Sequence, residues 1–233
     1  MHLQLKKTLE DRLHDFAPVV PFDPATDRLF SLDLSSTGSG IHDGILRDTD
    51  SFTNYMDTLI RQQQSRYAIG GYKEWREVYA NSPVFDAGSG TTGPRRLHLG
   101  IDIWGKPYTH VMAPLDGVIH SFGNNDRPGD YGATLILTHN IEGLTFYTLY
   151  GHLSLNSIRN LTSGDHINAG EIIGEFGIPM ENGHWPPHLH FQLIRDLGEW
   201  NGDYPGVSSR EEQEFYLDNC PDPDIILRMN RYL

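Results

Sequence analysis

The sequence predicts a mainly β protein, built on an antiparallel β-sheet core with a helical extension at the N-terminus. After about residue 96, short runs rich in β-branched and aromatic residues are each bounded by Gly, Pro, Asn or Asp, as strands usually are. No long helical pattern lies between these runs, so antiparallel pairing is favoured over β-α-β crossovers. In the first 80 residues or so, apolar residues recur at helical spacing instead.

The N-terminal extension is predicted to contain helices joined by loops. Residues 1–16 place apolar side chains at helical spacing, and residues 51–66 do so more clearly, with Ser51 as the candidate N-cap. A third, short helical stripe covers residues 75–79. Pro and Gly interrupt this region often, and the run STGSG at 36–40 is a predicted loop.

The β-rich part of the chain begins after a second predicted loop, DAGSGTTGPRR at 86–96. We therefore predict two units, a helical and loop extension at 1–85 and one β domain at 86–233. Six runs in the second unit are predicted strands: LHLGIDIW (97–104), GVIHSF (117–122), GATLILTH (132–139), LTFYTLYGHL (144–153), EIIGEFG (171–177) and HLHFQLI (188–194).

Charge and cysteine content argue against several classes of protein. The chain has 233 residues and a formal net charge of -13, which is unsuited to binding nucleic acid or an anionic membrane surface. Its single cysteine, Cys220, cannot form an internal disulfide. The N-terminus lacks the continuous apolar run of a secretion signal, and no apolar run is long enough to span a bilayer. We therefore expect a cytoplasmic protein.

Histidine and aspartate share one face of two predicted strands. In LHLGIDIW, strand alternation turns His98 and Asp102 to one face and the apolar residues to the other. In HLHFQLI, His188 and His190 share a face in the same way, with Leu189 on the opposite face. Each strand can thus bury an apolar face while it presents metal-binding side chains on the other.

A third strand, LTFYTLYGHL, is expected to place Tyr150 and His152 on one face by the same alternation. A catalytic zinc site typically takes three protein ligands of the His, Asp or Glu type and keeps a fourth position open. Groups nearby that do not bind the metal then handle protons and developing charge. Four histidines and one aspartate on three strands suit this arrangement.

Two other classes of function use similar residues. Two histidines and one carboxylate also form the metal site of non-haem Fe(II) oxygenases. The same ligands can stabilise a non-catalytic zinc module that binds a peptide. The two additional histidines favour a hydrolase, because neither alternative requires them. The chain has no H-E-x-x-H, which excludes the helix-borne zinc protease mechanism, and no phosphate-binding loop for nucleotide hydrolysis.

Most of the remaining histidines are expected to have ordinary surroundings. His120 and His139 lie in predicted strands and are expected to be sheet residues, and His110 and His166 lie among turn residues and are expected to be solvated. His184, in the loop ENGHWPP, is a candidate contact at the mouth of the site. The others lie in the extension: His2, His14 and His42.

As a set, these motifs resemble the lysostaphin-type (LytM-like) zinc metallopeptidases. The resemblance covers about residues 95–195 and implies an antiparallel fold of the duplicated-hybrid-motif kind. The segments that carry it follow the family's order: HLGID, VMAPLDGVIHSF, YGATLILTH, TLYGHLS, GEIIGEFG and PPHLHFQL.

The resemblance implies one zinc ion per chain, held by His98, Asp102 and His190, with His152 and His188 as catalytic histidines that do not bind the metal. The family hydrolyses peptide bonds, usually in bacterial cell wall, so it implies a metallopeptidase (endopeptidase or amidase) with a peptide substrate such as a cell-wall-derived peptide. This chain departs from the family before H-x-H, where GIPMENGHWPPH replaces a Gly/Ser/Thr-rich loop that forms part of the substrate groove.

Overall fold

The structure, a computed structural model, describes residues 2–35, 43–86 and 93–233. The predicted loop at 36–40, most of the predicted loop at 86–96, and His42 lie outside these residues. The helices are α1 (His2–Asp11), α2 (Asp43–Leu46), α3 (Thr49–Gln62), α4 (Gln213–Asn219) and α5 (Asp224–Leu227). The strands are β1 (Leu29–Ser31), β2 (Tyr67–Gly70), β3 (Arg95–His98), β4 (Ile101–Trp104), β5 (His110–Met112), β6 (Gly117–Asn125), β7 (Gly132–Ile141), β8 (Leu144–Leu153), β9 (His166–Ile167), β10 (Ile172–Glu175), β11 (His188–Ile194) and β12 (Val207–Ser209).

Within the described part of the chain, eight strands form one sheet in the order β1-β2-β4-β11-β8-β7-β6-β9. Neighbouring strands in this sheet are antiparallel apart from β1 and β2, which run parallel. Two antiparallel ribbons, β10–β5 and β12–β3, complete the strand pairing. The predicted mainly β fold with an antiparallel core is confirmed.

The N-terminal residues contribute to the same sheet and the same core. β2 pairs with β4, and β1 pairs with β2, so both extend the sheet beyond the predicted strands that it contains. These strands are only three and four residues long, too short to show a periodicity in the sequence. Leu5 and Leu9 of α1 are buried in the core that the β-strands form. The boundary between residues 85 and 86 stays a prediction.

Helix α3 confirms the helical stripe predicted at 51–66, but it begins earlier and has a different cap. Its N-cap is Asp48, whose Oδ1 accepts a hydrogen bond from the backbone N–H of Ser51 at 2.8 Å. Ser51 was predicted as the cap and instead lies inside the first turn. A carboxylate suits this position because it also interacts with the positive end of the helix dipole. Each helix in the described residues is too short or too polar to cross a membrane.

The predicted strand at 97–104 is divided into two strands that belong to different layers. β3 pairs with β12, whereas β4 pairs with β2 and β11 in the large sheet. The chain turns at Gly100, where a Cβ atom would lie 2.6 Å from the His190 ring and 2.8 Å from the carbonyl oxygen of Phe191. Glycine is therefore required at this close approach of backbone to side chain.

Strand β11 is buried on both faces, which places its histidines inside the protein. Its apolar residues, Leu189, Phe191 and Leu193, belong to the main core. The opposite face carries His188 and His190, each 2% exposed. The segments around residues 71–85 and 203–207 cover this face and form the walls of a cleft.

Candidate metal centre

Three predicted ligands converge on one point of the buried face. His190 in β11 stands directly opposite Asp102 in β4, so cross-strand pairing brings these two residues together. His98, at the end of β3, joins them through the turn at Gly100. The distances are 2.9 Å from His98 Nε2 to His190 Nδ1, 3.3 Å from His98 Nε2 to Asp102 Oδ1, and 3.2 Å from His190 Nδ1 to Asp102 Oδ1.

This triangle has the size that a tetrahedral metal ion requires. Metal–nitrogen distances of about 2.0–2.1 Å in a tetrahedral site place neighbouring donor atoms about 3.3 Å apart. In the described residues, these three side chains are the group whose donor atoms lie close enough together to hold an ion. The predicted ligand set of His98, Asp102 and His190 is therefore assembled in a geometry that fits a metal.

The hydrogen bonds of the two imidazoles leave the correct nitrogen free in each. His98 Nδ1 donates to the backbone carbonyl of Gly71 at 3.0 Å, so its Nε2 has a free lone pair. His190 Nε2 donates to Oε1 of Gln192 at 2.8 Å, so its Nδ1 has the free lone pair. Outer contacts of this kind orient metal ligands and select their tautomers.

The carboxylate of Asp102 is held from behind by an arginine. Arg76 Nη1 donates to Asp102 Oδ2 at 2.6 Å, and both side chains are almost fully buried. Arg76 Nε also donates to Glu74 Oε2. Burial opposes the charge of Asp102, but the positive charge of Arg76 outweighs it and holds the pKa of this carboxyl well below its usual range. Asp102 is therefore ionised and available as a ligand.

The two predicted catalytic histidines lie beside the ligand triangle. His188 Nδ1 donates to the carbonyl of Pro186 at 2.7 Å, and His152 Nδ1 donates to the carbonyl of Asn182 at 2.8 Å. The two ring centroids are 4.2 Å apart. His188 Nε2 lies 3.9 Å from Asp102 Oδ1, whereas the metal-binding nitrogens proposed for His98 and His190 lie 3.3 Å and 3.2 Å from the same oxygen. Both rings thus turn a free Nε2 away from the backbone.

Burial keeps these imidazoles neutral. Loss of solvent lowers the pKa of His188 to about 4 and that of His98 to about 3. Burial, reinforced by the neighbouring His188, also lowers the pKa of His152 well below its ordinary value. A neutral imidazole is the form that binds a metal or accepts a proton.

The prediction that Tyr150 and His152 share a face is wrong. Tyr150 lies in the core against Phe191, with ring centroids 5.4 Å apart. Two residues of β8, Gly151 and His152, stand opposite Thr134 alone, which is a β-bulge. His152 has a φ of 62° there, and this left-handed backbone turns its ring out of the alternation and into the site.

The site lies in a cleft with a volume of about 650 Å³. Trp185 of the loop before β11 lines this cleft, whereas the side chain of His184, the candidate contact, is exposed and lies outside the lining. Of the other histidines, His139 is buried and hydrogen-bonded in the sheet and His120 is half-buried, as predicted. The predicted solvation of His110 and His166 is also confirmed, since both are exposed.

Several residues at the site were not predicted from the sequence. Arg76 and Glu74 lie in the N-terminal part of the chain, far from the motifs, and no local pattern marks them. Tyr131 is buried against the ligands, with its hydroxyl 3.4 Å from His190 Nε2. Its position just before the GATLILTH strand offered a weak signal, because residues at strand ends often border sites.

The site thus combines two imidazoles and a carboxylate that could hold one metal ion with two more neutral imidazoles beside them, on an antiparallel β domain. Residues 96–202 match the model of peptidase family M23. This match agrees with the resemblance to the lysostaphin-type peptidases that the sequence motifs predicted.

Individual relatives are similar over part of their length. The chain is 30% identical over 131 residues to an L-Ala--D-Glu endopeptidase of Bacillus subtilis (strain 168), covering 53% of this chain and 38% of that protein. It is 29% identical over 136 residues to an uncharacterized metalloprotease of Haemophilus influenzae, and this match covers 54% of this chain and 26% of that protein. The chain thus spans well under half the length of these relatives. Among solved structures, the antimicrobial peptidase lysostaphin from Staphylococcus simulans is 27% identical, with 71% of this chain and 52% of that chain covered and a TM-score of 0.41.

Proposed function

We propose that this chain is a zinc-dependent metallopeptidase that hydrolyses a peptide bond, with cell-wall-derived peptides as the candidate substrates. The observation that carries the proposal is the ligand triangle with two neutral imidazoles next to it. The match of residues 96–202 to a peptidase family supports the same reaction class.

The metal ligands would be His98 through Nε2, Asp102 through Oδ1 and His190 through Nδ1, for one zinc ion per chain. Two imidazoles and one carboxylate suit zinc and leave a fourth position for water. A bound zinc ion would supply a water of lowered pKa, about 7, and polarise the peptide carbonyl.

His152 and His188 would handle the protons. Because each Nδ1 donates to a backbone carbonyl, each Nε2 keeps a lone pair that can accept a proton from the attacking water. The imidazole that has accepted this proton can then donate from Nε2 to the oxyanion that forms on the substrate, or pass the proton to the leaving amine. The buried surroundings strengthen both interactions, since the local dielectric is low.

The two alternative functions are less well supported. An Fe(II) oxygenase requires two histidines and one carboxylate, and a structural zinc site usually closes its fourth position with a protein ligand. Neither accounts for two further buried imidazoles that point a free nitrogen into the same cleft. The cytoplasmic location expected from the sequence stays a prediction.

A hydrolysis screen tests the proposal. Zinc-loaded protein is incubated with peptides that contain an L-Ala–D-Glu bond, the bond in the name of the Bacillus relative, and with cell-wall cross-link peptides, short L-dipeptides and simple amides. Product formation is followed by mass spectrometry. We expect cleavage of one class, lost with a chelator and restored by zinc. The double variant H152A/H188A serves as the control. No cleavage above this control across all classes, in protein with one zinc per chain, would rule out the peptidase.

A further inference from the structure

Residues 71–79 support the metal site from outside the family segment. This segment runs alongside β3 and is fixed to it by backbone hydrogen bonds. His98 N donates to Glu74 O at 2.9 Å, and Arg76 N donates to Arg96 O at 2.9 Å. Its Gly71 carbonyl already orients His98. Residues 71–79 precede the family match at 96–202.

Arg76 is the side chain of this segment that reaches the metal site, and it is held in one orientation. Its side chain is 3% exposed. Nη1 donates to Asp102 Oδ2 at 2.6 Å and to the hydroxyl of Tyr79 at 3.1 Å, while Nε donates to Glu74 Oε2. Glu74 is in turn fixed by the backbone N–H of Leu34, at 2.9 Å from its Oε1. The guanidinium therefore cannot turn without breaking several buried contacts.

Because of the contact with Arg76, the two carboxylate oxygens of Asp102 have different partners. Oδ2 faces the guanidinium, and Oδ1 faces the imidazoles of His98 and His190. Without the arginine, both oxygens of this carboxylate would be available to one metal ion, because carboxylates bind in one-oxygen or two-oxygen mode. A second oxygen would occupy the position that the water needs.

We propose that Arg76 is a positioning residue that restricts Asp102 to one-oxygen metal binding and so keeps a coordination position open. The inference depends on the metal site of the proposed function, although not on the identity of the substrate. Arginine suits the task better than lysine, because its planar fork can contact Asp102 and Glu74 at the same time.

The charge balance around Arg76 determines how it should be tested. Arg76 lies between two carboxylates, the buried Asp102 and the partly buried Glu74. Removal of the arginine alone takes the positive charge away from both carboxylates, which destabilises proteins strongly. The double variant E74Q/R76M removes one positive and one negative charge together. If R76M fails to fold, as judged by circular dichroism, the double variant is used for the test instead.

The measurement is zinc affinity, by competition with a chromophoric chelator, for wild type, R76K, R76M and E74Q/R76M. We expect affinity to fall by about 10–100-fold in R76M and the double variant, the usual cost of losing an outer contact of a ligand, with a smaller loss in R76K. The control is R96M. Arg96 pairs with Asp86 at 2.5 Å and is also buried, but it contacts none of the three ligands.

The cobalt-substituted proteins give a second readout that a purely structural role would not change. We expect the intense visible bands of four-coordinate cobalt in wild type and weaker bands in E74Q/R76M, as Asp102 adds its second oxygen. Affinity within twofold of wild type together with an unchanged cobalt spectrum would overturn the inference and leave the proposed function standing. Failure of wild type itself to bind zinc would overturn both.

Discussion

The rings of His152 and His188 lie 4.2 Å apart in the cleft, although the residues belong to different strands, β8 and β11. Each ring is fixed by its Nδ1 on a backbone carbonyl, so the two free Nε2 atoms share one space. Their catalytic roles are still predictions, and the following variants test them and the site around them.

Replacement of His152 by alanine should abolish most turnover while the metal stays bound. His152 contacts the cleft but none of the proposed ligand atoms, so zinc content should remain at one per chain. We expect kcat to fall by about 10²–10⁴-fold, the usual contribution of a general acid–base group. Zinc content by atomic absorption and kcat on the peptide found by the screen are the measurements. The control H120A removes a half-buried histidine outside the site and should keep full activity.

Replacement of His190 by alanine should remove metal and activity together. The variant loses one of three ligand atoms, so its zinc affinity should fall by more than the roughly 10–100-fold that loss of an outer contact costs. Competition titration with a chelator measures this. Wild-type zinc affinity in H190A would contradict the ligand assignment.

Gly100→Ala should damage the site through a steric clash. The added Cβ would lie 2.6 Å from His190 Nε2 and 2.8 Å from the carbonyl oxygen of Phe191, so the ring or β11 must move. We expect a loss of about 1–3 kcal/mol in unfolding free energy and zinc affinity at least about tenfold weaker. Gly44→Ala is the matched control, because nothing lies within 4 Å of its added Cβ. Equal unfolding free energies and zinc affinities in the two variants would show that Gly100 has room for a Cβ atom beside His190.

His139 should make the fold sensitive to acid. It is 1% exposed, and burial lowers its pKa to about 4. Between pH 6.5 and about 4, the unfolded chain therefore binds a proton that the folded chain does not, and stability falls as pH falls. Complete passage through this window costs about 3 kcal/mol.

Urea unfolding of metal-free wild type and H139Q at pH 7 and pH 4 isolates this effect. The unfolding free energy of wild type should fall by about 3 kcal/mol more than that of H139Q, since the other histidines are common to both proteins. H110Q, which changes an exposed histidine, is the control and should follow wild type. Parallel losses in wild type and H139Q would refute the assignment to His139.

Leu9→Ala should destabilise the whole protein, although Leu9 lies in the N-terminal helix. Its side chain is completely buried in the core shared with the β-strands, and truncation of such a residue costs about 2–5 kcal/mol. Thermal and urea unfolding measure the loss, and K6A, an exposed change on the same helix, is the control. A separate early transition for the N-terminal residues would instead support the predicted division at residue 85.

Periodicity in the sequence was sufficient for most of the fold and for the candidate residues of a metal site. Alternation in HLHFQLI correctly separates His188 and His190 from Leu189, because the period of a strand is a local property of the chain. The short strands β1 and β2 escaped detection, since a run of three or four residues shows no period. Four histidines and one aspartate on three predicted strands indicated a metal site, and the family resemblance chose His98, Asp102 and His190 among them as the ligands.

Three-dimensional packing was needed for the features that depend on contacts between distant parts of the chain. The ring of His152 points into the cleft because the register of β7 and β8 shifts at a β-bulge, where His152 has a φ of 62°. Simple strand alternation does not predict this backbone conformation. Arg76 reaches Asp102 across 26 residues because its segment lies alongside β3. Local propensity describes how neighbouring residues arrange themselves, whereas these contacts follow from the path of loops and the pairing of strands. The candidate residues of the site were therefore predictable from the sequence, whereas their orientation and charge partners depend on the fold.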